Sequence, residues 1–116
     1  MSFSISLSGL RAARIGMDVS ADNTANVLST GFKKSRVVHF SGPPAMGGVR
    51  TEIQRIDTPG RPGPIDPATN EPQELSNVDL TEEMVNMIVS ERTFQANLQA
   101  IRAEDEMLGN LIDIVV

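Results

Sequence analysis

All seven prolines of this 116-residue chain (Pro43, Pro44, Pro59, Pro62, Pro64, Pro67 and Pro72) fall between positions 43 and 72. A proline inside a helix costs about 3 kcal/mol, so both ends are free to be helical and the middle is not. The ends lack the aromatic volume from which a compact globule usually builds its core. The chain has four Phe, no Tyr and no Trp, and its apolar content is Leu, Ile, Val, Met and Ala. That is the composition of helix seams. One domain's worth of chain leaves no room for a second independent core. The fold expected is mainly α, with paired terminal helices around a small β-containing, Pro-Gly-rich middle. The three segments are residues 1–34, 35–75 and 76–116.

The first helix is expected over about residues 6–29, with Leu10, Ala13, Met17 and Val27 on its apolar side. Gly31 should close it, and Lys33 and Lys34 would then meet the negative end of its dipole. Residues 36–40 read as a short strand. In the alternating run 49–56, Val49, Thr51 and Ile53 share a face, as in a half-buried strand. Residues 57–74, rich in Pro, Gly and acids, read as an extended loop. The last segment opens on Asp79-Leu80-Thr81-Glu82, a helix start with Asp79 as its cap. From there Met84, Met87, Glu91, Phe94, Leu98, Ile101, Asp105, Leu108, Ile112 and Val115 alternate steps of three and four. Eight of these ten are apolar, which defines a heptad seam. Met84, Met87 and Met107 are expected to fill the core, and Glu104 to lie off the seam.

Charge divides along the same lines. Residues 1–40 carry a balance of +3, residues 41–75 of −2 and residues 76–116 of −6, for a formal net charge of −5. The two ends are complementary, which favours their pairing. The acidic total argues against nucleic acid or an anionic membrane as a partner. Cysteine is absent, so a disulfide framework and a thiolate metal site are excluded. His39 is the only histidine and reads as a surface or packing residue. No nucleophile elbow or phosphate-binding glycine loop is present. Glu82-Glu83 and Glu104-Asp105-Glu106 sit at consecutive helical positions that point in different directions, so neither cluster converges on a cation. No catalytic residue, cofactor, metal or small-molecule substrate is expected. The first twenty residues show no cleavable targeting peptide.

Two stretches resemble a known family. Ser8-Gly9-Leu10-Arg11-Ala12-Ala13, then Asn23-Thr24-Ala25-Asn26-Val27 and Thr30-Gly31-Phe32-Lys33, are similar to the N-terminal signature of the flagellar rod and hook (axial) proteins. Ser76-Asn77-Val78-Asp79-Leu80-Thr81-Glu82-Glu83 through Arg92-Thr93-Phe94-Gln95-Ala96-Asn97 resembles the C-terminal signature. The short length and the stretch from Gly48 to Pro59 look most like a proximal rod member, whereas the approach Glu74-Leu75 to Ser76 is closer to distal rod members. Phe94 stands where the family usually has Tyr. The resemblance implies a structural subunit of the basal-body rod. Its terminal helices would pack with copies of itself and with other rod proteins. It would be exported by the flagellar type III apparatus without a cleaved signal. It marks Asn23, Asn26, Gly31, Phe32, Asn77, Asp79 and Asn97 as motif residues. A soluble helical adaptor or export chaperone of the same system is the alternative.

Overall fold

The computed structural model describes residues 2–44 and 46–115. Two helices and two β-hairpins follow one another as α1 (Ser2–Ala25), β1 (Ser35–Ser41), β2 (Val49–Arg55), β3 (Pro62–Ile65), β4 (Pro72–Glu74) and α2 (Leu80–Val115). The molecule is a rod of 78 × 25 × 16 Å. Its length comes from α2, whose 36 residues span about 54 Å at ~1.5 Å per residue.

Helix α1 runs antiparallel to α2, with Ser6 bonded to Glu104 and Asn23 to Glu83. It begins and ends about four residues earlier than its sequence suggests. Asn26 donates its backbone N–H to both Asp22 and Asn23, and the chain continues as tight turns through Ser29. Gly31 therefore does not close the helix. Its φ of 73° turns the chain toward β1, and its N–H is taken by the Glu74 carbonyl. Lys33 and Lys34 accordingly lie away from the helix end and pair with Glu74 and Glu82.

Strands β1 and β2 form an antiparallel hairpin in continuous register from Ser35↔Arg55 to Ser41↔Val49. The hairpin lies along α1. Its open end is tied to Asn23, and the Val49 N–H donates to Ser8 Oγ near the other end. Of the alternating set Val49, Thr51 and Ile53, only Thr51 is half-buried, and Ile53 is 60% exposed. The hairpin touches the helix without sealing on it. On its outer face the Arg50 guanidinium stacks over Phe40 at 5.5 Å.

Residues 57–74 are not a loop throughout. They hold the second hairpin, in which β3 pairs antiparallel with β4. A turn from Asp66 to Glu71 joins the strands, stabilised by Asn70 N–H to Asp66 O and Ala68 N–H to Asp66 Oδ1. Asn70 takes φ 56° there, a conformation asparagine tolerates. Prolines 62, 64 and 72 cannot donate to a ladder, so the pairing stays short and irregular.

The apolar interior is slight. Among the described residues the buried hydrophobic side chains are Ala12, Ala13 and Val78. No described helix is long and apolar enough to cross a membrane.

A candidate assembly site: the helix seam and its joint

The face that α1 turns to α2 is made of small residues at heptad spacing. Ser6, Ala13 and Ser20 alternate with Gly9, Gly16 and Asn23, and all but Gly9 are buried. From α2, every seventh residue meets this stripe: Glu83, Ser90, Asn97 and Glu104. The approach is close because the glycines have no side chain. A Cβ on Gly9 would stand 2.5 Å from Asn97 Oδ1, and one on Gly16 would stand 2.8 Å from Ser90 Oγ. Backbones can come this near only where one face lacks side chains.

The seam is therefore polar. Glu83 is 2% exposed and Glu104 is half-buried. One oxygen of each accepts a hydrogen bond, Glu83 Oε1 from Asn23 Nδ2 at 3.1 Å and Glu104 Oε1 from Ser6 Oγ at 3.1 Å. The second oxygen of each is buried and has no partner among the described residues. Glu104 thus sits inside the seam, contrary to the expectation that it lies off it.

The apolar heptad read from the sequence lies beside this contact, rotated away by one position. Phe94 and Ile101 are half-buried on the inner flank. On the same flank Met87 is 37% and Leu108 47% exposed. The other half faces out, with Leu98 at 37%, Met84 at 57% and Ile112 at 62% exposure. Glu91 and Asp105 are exposed with it, and the Val115 side chain lies outside the described residues. On α1, Ala13 is buried, Leu10 and Met17 are half-buried beside the small stripe, and Val27 is half-buried in the turn beyond the helix. The methionines do not fill a core, since Met84 and Met107 are more than half exposed.

A joint of polar contacts fixes the helices to the hairpins, and the motif asparagines are its centre. Asn23, 1% exposed, donates to Ser35 O at 2.8 Å and accepts from Ser35 N–H at 3.0 Å, besides its bond to Glu83. It links the end of α1, the start of β1 and the first turn of α2. Asn77 does the same one layer away. Its Oδ1 accepts from Lys34 N–H at 2.7 Å, and its Nδ2 donates to Ile56 O at 2.8 Å and to Thr58. Its own N–H donates to Phe32 O. Asp79 caps α2, accepting from Thr81 N–H at 3.0 Å. Asn26 donates to Asp22 O and steadies the turn after α1. Asn97 bonds within α2 to Thr93 O and presses on Gly9.

Charge completes the joint. Lys33 bonds Glu74 and the Thr58 carbonyl, and Glu74 also accepts from Gly60 N–H. The Lys33 hydrogen bond, then the Gly60 N–H, hold the Glu74 carboxyl below its ordinary pKa. Lys34 and Arg36 reach Glu82 at 3.4 and 4.0 Å. The described salt bridges between the basic first segment and the acidic last one gather here, not along the helices. Beside them a cleft of about 370 Å³ lies between α1, β1 and α2, with His39 on its rim. No described group of acids and histidine is arranged to hold a metal ion.

What the sequence missed is the inner face of α2. Its signal was the sevenfold spacing of small residues in α1, which a count of apolar positions passes over.

Comparison with known proteins agrees with this plan. The sequence profile of the family described as "Flagellar basal body rod FlgEFG protein C-terminal" matches residues 73–114. The flagellar hook protein FlgE of Escherichia coli (strain K12) is 48% identical over 46 residues, which is 40% of this chain and 11% of the hook protein. The flagellar basal-body rod protein FlgG of Bacillus subtilis (strain 168) is 49% identical over 41 residues, 35% of this chain and 16% of that protein. The chain thus spans only a small fraction of these longer relatives. The flagellar basal-body rod protein FlgC of Agrobacterium fabrum (strain C58 / ATCC 33970) is matched along most of both chains, 28% identical over 93% of this chain and 88% of its own length. With both terminal signatures in place and these matches beside them, the chain is similar to the flagellar rod and hook proteins, through the C-terminal family profile and along most of a basal-body rod protein.

Proposed function

We propose that this chain is a structural subunit of the flagellar basal-body rod that assembles through its terminal helices with copies of itself and with other rod proteins. The observation that carries this reading is the inverted polarity of the helix pair. Its inner seam is small and polar, while Met84, Val85, Ile88, Leu111 and Ile112 stand more than half exposed on α2. Exposed apolar surface of this extent marks an interaction site. The same exposed residues include Met84 and Ile112 of the apolar heptad, which with Leu98 form the outward stripe offered to neighbours. Residues 35–75, with their two hairpins, form the outer part. The subunit reaches the rod through the flagellar type III export apparatus. The match to a basal-body rod protein over 93% of this chain and 88% of that protein supports rod over hook.

The test is to tag the chain, purify basal bodies from cells that carry it, and locate the tag by electron microscopy, with a deletion strain scored for motility. The expected result is label in the rod and non-motile cells lacking complete rods. A motile deletion strain with intact basal bodies would sink the proposal.

A further inference from the structure

Strand β1 has an open edge. Its register with β2 is continued by Ile56 N–H to Lys34 O and by Gly42 N–H to Gly48 O, so even-numbered β1 residues turn their ladder groups to β2. Those of Ser35, Val37 and His39 leave on the opposite side. At Ser35 this edge is already paired, but by a side chain. The Asn23 amide accepts from Ser35 N–H and donates to Ser35 O, the two bonds that a residue of an adjacent antiparallel strand would make. The next rungs, Val37 and His39, have no backbone partner on that side among the described residues. Both line the cleft of about 370 Å³ whose other walls are α1 at Gly16 and α2 at Glu83, Asn86 and Ser90. No Cα of β1 comes within 8 Å of one in α2, so the helix does not cover the edge.

We infer that this cleft takes an extended segment of another protein, which adds to β1 as a third strand and continues the pairing that Asn23 begins. The contact is separate from the outward stripe of α2 proposed above. Strand addition draws its affinity from main-chain hydrogen bonds and its specificity from the side chains that meet the walls. Edges that must stay unpaired usually carry a proline, a bulge or a cover. Strand β1 has no proline and pairs with β2 in unbroken register. The walls set the chemistry of the occupant. The rungs at Val37 and His39 need a backbone free of proline over about three residues, since proline cannot donate. Glu83 is 2% exposed, belongs to the cleft wall, and keeps one buried oxygen without a partner among the described residues. An Asn, Gln, Lys or Arg near the Asn23 end of the segment would supply the missing N–H donor. A second copy does not fit this description. The proline-free strands of the chain are β1 and β2, which already pair with each other along α1, and a hairpin backed by its own helix is too broad for the cleft.

The test uses random heptapeptides displayed on phage, selected against the full chain, with the enriched sequences then made as free peptides. Enriched peptides should lack proline across their centre and share an Asn, Gln, Lys or Arg at one fixed position. Bound to isotope-labelled protein, they should shift the amide resonances of Val37 and His39 and slow the exchange of those two amides. Methylating alternate peptide nitrogens should weaken binding by about tenfold or more in one register and have little effect in the other. Asn86→Arg, at an exposed position of the cleft wall, should abolish binding by filling the space, and Glu83→Gln should remove the preference for the donor residue. Failure to enrich any peptide would overturn the inference. So would peptides that bind Asn86→Arg unchanged, or peptides indifferent to the register of methylation. Enriched sequences with helical spacing that shift the outward residues of α2 instead would overturn it in favour of the helix surface. A chain that binds these peptides but never associates with itself in sedimentation would leave the strand site standing and remove the self-assembly reading.

Discussion

Replacing Asn23 with Ala tests whether the joint depends on this side chain. Asn23→Ala removes three hydrogen bonds, two to the Ser35 backbone and one to Glu83. Each is worth about 1 kcal/mol net, and a buried group left without its partner adds about 1–3 kcal/mol. Alanine's better helix propensity returns at most about 0.7 kcal/mol. The expected loss is about 3–5 kcal/mol, large against the ~5–15 kcal/mol total of an ordinary domain and larger still for a chain whose buried apolar side chains are Ala12, Ala13 and Val78. The assay is urea unfolding followed by circular dichroism at one protein concentration, because association would shift the midpoint. Glu83→Ala and the double variant complete a cycle that isolates the pair. Glu83 is 2% exposed and its second oxygen has no partner among the described residues, so the double variant should be more stable than the two single losses added. A coupling of about 1.5–3 kcal/mol is expected for a hydrogen bond to a charged group. Additive losses, or a single loss below about 1 kcal/mol, would refute the assignment of Asn23 as the joint.

Ile112→Asp, on a residue 62% exposed, should leave the isolated fold within about 0.5 kcal/mol yet abolish recovery of complete rods; normal rods would remove Ile112 from the interface. Gly16→Leu should cost about 1–3 kcal/mol by overpacking, since even its Cβ would stand 2.8 Å from Ser90 Oγ. Gly109→Ala has open space and should gain up to about 1 kcal/mol of helix propensity, with thermal melting reading both. The Glu74 carboxyl is held low by Lys33 and the Gly60 N–H. Its contribution is therefore complete above the pKa it has in the unfolded chain and is lost as pH falls through its lower folded value. Limited proteolysis across an acid series should show the segment 57–74 opening in that range, and Glu74→Gln should remove the pH dependence of cutting.

The two helices and the strands of the first hairpin follow from features visible in the sequence, whereas Asn23 and Asn77 stand out there only as motif residues and their place at the joint comes from the structure. Proline confinement left the ends helical, and Asp79 does cap α2. The face α2 presents was not legible by counting apolar residues. Such a count assumes that the partner supplies bulk, whereas α1 supplies Gly9, Ala13, Gly16 and Ser20, and the backbones close over them. The second hairpin escaped notice for a different reason. Its strands contain Pro62, Pro64 and Pro72, residues that count against a strand wherever a ladder hydrogen bond is needed. A two-stranded pairing has free edges on both sides, so it tolerates them. Gly31 has the features of a helix stop, but α1 ends earlier because the turn after Ala25 is held by local bonds of Asn26 and Ser29.

The polarity of α2 gives these details one sense. A helix hairpin meant to stand alone would turn Met84, Ile88, Leu111 and Ile112 inward and Glu83, Ser90, Asn97 and Glu104 out. Burying apolar area is worth roughly 25 cal/mol per Å², and a buried carboxylate with one empty oxygen is a cost. The observed arrangement forgoes the first and accepts the second. In return, close approach over glycine makes the intrachain pair thin and leaves the apolar side of α2 unspent. In the proposed rod, that side is completed only by neighbours, so a subunit gains its main hydrophobic stabilisation at the moment it is incorporated. Such a chain is held in shape by the polar joint at Asn23 and Asn77 before assembly and by its neighbours afterwards. On this view a substitution at the joint lowers the stability of the free subunit, whereas one on the outer stripe of α2 spares the subunit and stops the rod.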